Sequence, residues 1–220
     1  MNNKNSFLSI LPPVTLNLLI INFLFWLASA ALATGALGDI REVLGLYYWQ
    51  SSRFHVYQFV TYMFQHADFS HIFFNMFGLF MFGPVLEHVW GSRRYLFFFL
   101  FTGIGAGIVQ EAVWTVQIGN SLNDILLAGG FEPITIGASG AIFGILLAFA
   151  MTFPDARMML IFLPIPVKAK YFVPIYALIE LFSGIYNPLG DNVAHFAHLG
   201  GALFGVILIL YWKKHPFSHN

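Results

Sequence analysis

The chain has no cysteine and very little charge. Without thiols there are no disulfides, no thiol nucleophile and no thiolate metal site, and the redox compartment stays open. Of 220 residues only 9% are charged and the formal net charge is +0, so no basic surplus draws the chain to nucleic acid and no acidic tail marks solvated disorder. It also lacks an internal repeat and any low-complexity tract. What fills it is apolar: 58% of residues are hydrophobic and 26 are phenylalanine, more than a soluble core of this size needs. Such a composition reads as an integral membrane protein.

A hydrocarbon layer about 30 Å thick takes roughly 20 mostly apolar residues per helix. Six segments come close: Val14–Thr34, Tyr57–Val85, Tyr95–Val116, Ser139–Phe153, Tyr171–Ile185 and Val193–Trp212. The expected fold is an all-α, six-transmembrane helical bundle, a single membrane domain over residues 1–220 with short tails and no soluble domain. The fourth and fifth segments are short, and the second is long enough to tilt or to extend past the bilayer. Lys4 and "ASAALA" around the first segment also describe a signal peptide, but the apolar run exceeds the usual length of one and favours a retained span. With both termini cytoplasmic, Lys4, Arg93, Arg94, Arg157, Lys168, Lys170, Lys213 and Lys214 lie inside, leaving outside only Arg41 and Arg53 of the 10 basic residues. Two outer loops, Gly35 to Val56 and about Gln117 to Gly137, are long enough to carry function. "LGLYYWQ" in the first suits the headgroup region, where Tyr and Trp concentrate.

Polar side chains at membrane depth need a partner, a water-filled cavity or a function. His66, His71 and Asn75 stand in the second segment, Glu87 near its end, Ser139 at the start of the fourth, Glu180 in the fifth, and His195 and His198 in the sixth. His71 and Asn75, four apart, share one helix face, either as polar glue between helices or as two donors aimed at one place. Ser139, within Gly137-Ala138-Ser139-Gly140, sits where a loop turns into a helix. There a serine can simply cap the helix, while the unpaired N–H groups of a helix start also suit a developing negative charge.

Gly201 and Gly205 give the sixth segment a face without side chains, and His198 lies three residues before that face. Packed against the small-residue start of the fourth segment, it brings His198 within reach of Ser139. A neutral imidazole there takes the serine proton and later returns it to a leaving group. His71, Asn75 and the Ser139 N–H would then surround the oxyanion of an acyl transfer. No carboxylate is evident beside His198, so a dyad is expected. Asp191 should lie about 10 Å away along the axis. His195, one turn from His198, is the rival base by spacing, and Glu180 reads as a partner within the bundle or as a proton-path residue.

These residues carry a resemblance. "HADFSHIFFN", "GPVLEHVWGSRRYL", "GASGAIFG" and "AHLGGALFG", in this order and each on the expected span, resemble the rhomboid intramembrane serine proteases. The resemblance implies that Ser139 is the nucleophile and His198 the base, with His195 only a neighbour. It implies that His71 and Asn75 stabilise the oxyanion and that Gly137 and Gly140 belong to the G-x-S-G element. It further implies that His66 lies by the active-site water region, that Glu87 belongs to a structural network near the cytoplasmic face, and that Gly201 and Gly205 line the helix contact. The bacterial six-span form lives in the cell (inner) membrane with a short central fourth helix, and its fifth helix and the following loop gate lateral entry. Transmembrane proteins are the implied substrates, small residues the implied cleavage site, and neither metal nor organic cofactor is needed.

Two positions depart from the family pattern. Arg53 and Gln58 stand where a Trp-Arg pair is common, which leaves open how the first outer loop is anchored. Phe143 replaces a frequent tyrosine one turn after the serine and keeps its ring, so packing against His198 should survive. A non-catalytic rhomboid-like scaffold that binds membrane helices and a histidine-based transporter are the other function classes. The first typically lacks the serine or the histidine, and the second lacks a visible repeat here.

Overall fold

Helices form where the apolar runs are, and two of them, α2 and α4, start on a capping aspartate. The computed structural model describes residues 11–32, 39–119, 121–127, 129–130, 132–160, 163–186 and 194–215. Helix α1 (Pro13–Leu32) begins on a proline, whose missing N–H is no loss in a first turn. Outside the bundle follow α2 (Ile40–Leu44), capped by the Asp39 carboxylate, β1 (Leu46–Tyr47), and α3 (Gln58–Thr61) with a 3-10 turn over Tyr62–Phe64. Then come α4 (Phe69–Trp90), α5 (Ser92–Gln117), α6 (Leu122–Leu127), β2 (Ile134–Thr135) and α7 (Ser139–Thr152). The hairpin β3 (Arg157–Leu160) and β4 (Leu163–Lys168), α8 (Ala169–Tyr186) and α9 (His195–Lys214) complete the chain.

The continuous second segment expected from Tyr57 to Val85 is not continuous. Gln65 is extended, and Asp68 starts a new helix by accepting from the His71 N–H at 2.8 Å. An acidic side chain on the orphan donors of a first turn outweighs apolar continuity. Between α4 and α5 only Gly91 intervenes, at φ +81°, where a side chain would be strained.

Among the described residues four helices, α1, α4, α5 and α9, are long and apolar enough to cross a membrane, and α7 is a shorter apolar helix of 14 residues, about 21 Å. Helix α7 is packed by α4, α5, α8 and α9, so the shortest of the six bundle helices is also the central one. Glycine makes this contact close. A Cβ on Gly201 would overlap the Gly140 carbonyl, and one on Gly205 would come within 3.3 Å of the Gly144 Cα. Backbones that touch without side chains gain many dispersion contacts, which is the main source of helix association in lipid.

The two long loops are tied to each other. Strand β1 pairs antiparallel with β2, Leu46 opposite Thr135 and Tyr47 opposite Ile134. This buries Leu46, Tyr47 and Tyr48 within the protein, and of the "LGLYYWQ" segment only Trp49 is largely exposed. Gln58 anchors the same loop: its amide donates to the Val43 and Arg53 carbonyls and its oxygen accepts from the His55 N–H. Arg53 reaches Glu42, Glu132 and the Tyr47 hydroxyl. With the Tyr47 N–H also meeting its oxygen at 3.4 Å, a glutamine with four backbone neighbours and a forked cation anchor this loop.

At the other end of the bundle, Glu87 accepts from Val14 N (2.9 Å), Thr15 N (2.7 Å), Thr15 Oγ1 (2.8 Å) and Ser92 Oγ (2.7 Å). The carboxylate of α4 therefore caps the positive end of α1.

Candidate active site

Ser139 is the first residue of α7. The preceding Ala138 stands at the N-cap without a side-chain hydrogen bond, so the serine hydroxyl is not spent on capping. Its Oγ lies 2.8 Å from His198 Nε2, with the serine half-buried and the histidine 8% exposed. The Gly201–Gly140 contact accounts for this distance, since it draws the first turns of α7 and α9 together one helical turn beyond His198. His195, the rival base, points elsewhere: its Nδ1 is 2.7 Å from Glu180 Oε2.

Glu180 also lies 2.8 Å from His198 Nδ1 and is 6% exposed. The expectation that no carboxylate stands beside the base is thus wrong. An ionised carboxylate only accepts, so the hydrogen of each Nδ1···Oε2 pair sits on the imidazole. In neutral His198 this leaves Nε2 as the acceptor that faces the Ser139 hydroxyl. Glu180 was readable as a lone acid in an apolar helix that had to have a partner, but not which partner, because that contact spans the α8–α9 connection. Asp191, the carboxylate weighed from spacing, lies outside the described residues.

His71 approaches from α4. Its Nδ1 accepts from the Ala67 N–H at 3.4 Å, which leaves the hydrogen on Nε2. A Cβ on Gly137 would lie 2.7 Å from this Nε2 and 3.6 Å from Ser139 Oγ, so His71 and the serine flank the same small space. Gly137 keeps that space open, and its φ of +128° is one that other residues rarely adopt. Asn75 is buried, and its Nδ2 donates to the His71 carbonyl at 2.8 Å. The second hydrogen of that amide remains for another acceptor. His66 is fully buried, edge-on to His71 at 5.0 Å, and neither of its ring nitrogens has a hydrogen-bond partner among the described residues.

Phe143, one turn after Ser139, stacks on His198. Ser139, His198, His71, Asn75, Gly137, Gly140, Phe143, Gly201 and Gly205 are thereby brought to one region, with His66 adjoining. Glu87 is apart from it, at the far end of α4. Chemically, the arrangement holds a hydroxyl on an accepting imidazole, N–H donors beside it, and a carboxylate behind the imidazole.

A rhomboid domain model matches residues 53–215. The chain is 33% identical to the "Rhomboid-like protein 11, chloroplastic" of Arabidopsis thaliana over 73% of its own length and 54% of that protein's. It is 29% identical to the "Rhomboid protease AarA" of Providencia stuartii over 70% of its length and 55% of that protein's. Against the "Rhomboid protein 1, mitochondrial" of Saccharomyces cerevisiae it is 28% identical, over 69% and 40%. The chain spans about half the length of the curated relatives it matches. With the domain match running across α4 to α9 and the four motifs inside it, this multi-pass membrane chain belongs to the rhomboid family.

Proposed function

We propose that this chain is an intramembrane serine endopeptidase that hydrolyses peptide bonds in or near the transmembrane segments of other proteins. The observation that carries the reading is the 2.8 Å approach of His198 Nε2 to Ser139 Oγ, between two helices held together by glycine. Ser139 Oγ attacks the substrate carbonyl as its proton passes to His198 Nε2. The Ser139 N–H, the His71 Nε2–H and the free Asn75 amide hydrogen take the charge that develops on the carbonyl oxygen. The imidazolium then protonates the leaving amine, and the C–N bond breaks to give an acyl-enzyme. Water, losing a proton to His198, attacks that ester, and the C–Oγ bond breaks as His198 returns the proton to Ser139 Oγ. The reaction draws on side chains, backbone and water, with no metal or organic cofactor.

The bond to be cut must leave its helix first, because intrahelical hydrogen bonds shield it in lipid. Substrates are therefore transmembrane proteins whose helix is weak near the cut, with small residues there, and nucleic acid plays no part. The chain sits in the cell membrane as six spans with both termini cytoplasmic, and α8 with the connection to α9 gates lateral entry.

Purified protein and a model transmembrane substrate test this. Ser139→Ala is expected to abolish cleavage, and His198→Ala to abolish covalent labelling of Ser139 by a fluorophosphonate. Unchanged cleavage by Ser139→Ala would sink the proposal in favour of a non-catalytic scaffold that binds membrane helices.

A further inference from the structure

Glu180 receives two imidazoles on one oxygen. His198 Nδ1 is 2.8 Å and His195 Nδ1 2.7 Å from the same Oε2, and the carboxylate is 6% exposed on a helix that is otherwise apolar around it. A carboxylate at this depth is costly unless paired, so its place has to be accounted for. His195 already gives it one partner. The second contact is made to the ring whose other nitrogen meets Ser139.

We propose that Glu180 is the positioning residue of the base, turning the expected Ser-His dyad into a Ser139–His198–Glu180 triad, with His195 holding the carboxylate in place. The inference rests on the serine-protease reading of Ser139 and His198. Its chemistry has two parts. In the resting state Glu180 keeps the His198 proton on Nδ1, so that Nε2 is free to accept. When Ser139 transfers its proton, the imidazolium forms beside a fixed negative charge in a medium of low dielectric, and that interaction is stronger in the transition state than before it. His195 donates to the same oxygen from a second direction, which fixes the carboxylate without competing for Ser139. A structural ion pair would stabilise the bundle alone; a positioning residue acts on kcat.

The test compares three variants of the purified chain on a transmembrane substrate. Glu180→Gln keeps the shape but lets an amide N–H face His198 Nδ1, which favours the wrong tautomer. Its kcat is expected to fall by up to about 10⁴, the loss seen in serine proteases deprived of the third group of the triad, with KM within about twofold. A downfield Nδ1 proton resonance of His198 should be present in the unmodified protein and absent from Glu180→Gln. Glu180→Ala opens a carboxylate-sized space, and formate should restore its activity in a concentration-dependent way; this rescue decides the matter if Glu180→Gln folds poorly. Wild-type kcat in Glu180→Gln, or a lost kcat with the downfield resonance intact and no formate rescue, overturns the proposal. Ser139→Ala separates the two readings: if it is inactive while Glu180→Gln is fully active, only the triad falls, and if it is active, the protease reading itself falls.

Discussion

The imidazole of His198 lies flat on the ring of Phe143, centroids 4.4 Å apart and planes 5° from parallel. The place of the Phe143 ring follows from one helical period: Phe143 is four residues after Ser139, so the face of α7 that presents the hydroxyl also presents a plate for the base. Tyr176 of α8 backs that plate at 4.9 Å. Stacking of this kind is worth about 0.5–1.5 kcal/mol, or roughly a two- to tenfold effect if it is lost when the base must be aligned. Phe143→Ala should therefore lower kcat per folded molecule by about that factor, and Phe143→Tyr should keep it. Active-site titration with a fluorophosphonate gives the folded fraction; an unaltered kcat in Phe143→Ala would show that the ring does not align the base.

Helices α1, α4, α5 and α9 were legible because each is a long apolar run, and α7 and α8 as shorter apolar stretches; their ends shift by a few residues from the sequence-based bounds. Ser139, His198 and His71 stood out from small-residue spacing and from polar atoms at membrane depth, and the family resemblance set His198 above His195. Three features were not legible. The break at Gln65–Asp68 hides in "YMFQHADFSHIF", where hydropathy averages over a capping aspartate. Tyr47 and Tyr48 look like interfacial residues, and only the pairing of β1 with β2, far apart in the chain, takes them inside. Glu180 meets His198 across 18 positions, a relation that no local period encodes.

The Gly201–Gly140 contact predicts a graded pair of variants. At Gly201 an added methyl meets a backbone carbonyl, which cannot rotate away, whereas at Gly205 the nearest atom is 3.3 Å off and a shift of a few tenths of an ångström suffices. Overpacking of the first kind costs about 1–3 kcal/mol or more. Gly201→Ala should unfold at a distinctly lower temperature in detergent than Gly205→Ala, and should lose activity because His198 is one turn away. Equal melting temperatures for the two would contradict the contact.

Glu87 should matter for stability and not for chemistry. Its four accepted bonds join α1, α4 and α5, and Glu87→Gln replaces one carboxylate oxygen by a donor that opposes the incoming N–H or O–H groups. Hydrogen bonds to a charged group contribute about 1.5–3 kcal/mol each, so a loss of about 2–4 kcal/mol is expected in a denaturation series. Because Ser139 lies at the other end of the bundle, kcat per folded molecule should stay near that of the unmodified chain. A large fall in kcat without a fall in stability would place Glu87 in the reaction instead.

Asp155, just beyond α7, gives a pH dependence whose sign can be worked out. Lys170 and Lys168 each place Nζ 2.9 Å from its Oδ1, and together they pull its pKa down to about 2. An unfolded aspartate titrates near 3.9. The folded value is the lower one, so the pair stabilises the β3–β4 hairpin fully above about pH 4, and this contribution disappears as the pH falls toward 2. All three side chains are solvent-exposed, so salt should screen the interaction. Carboxyl NMR should find the Asp155 midpoint near 2 at low salt, moving toward the ordinary aspartate value at high salt and in the double variant Lys168→Met, Lys170→Met. A midpoint indifferent to both changes would mean that the lysines do not hold the carboxylate in solution.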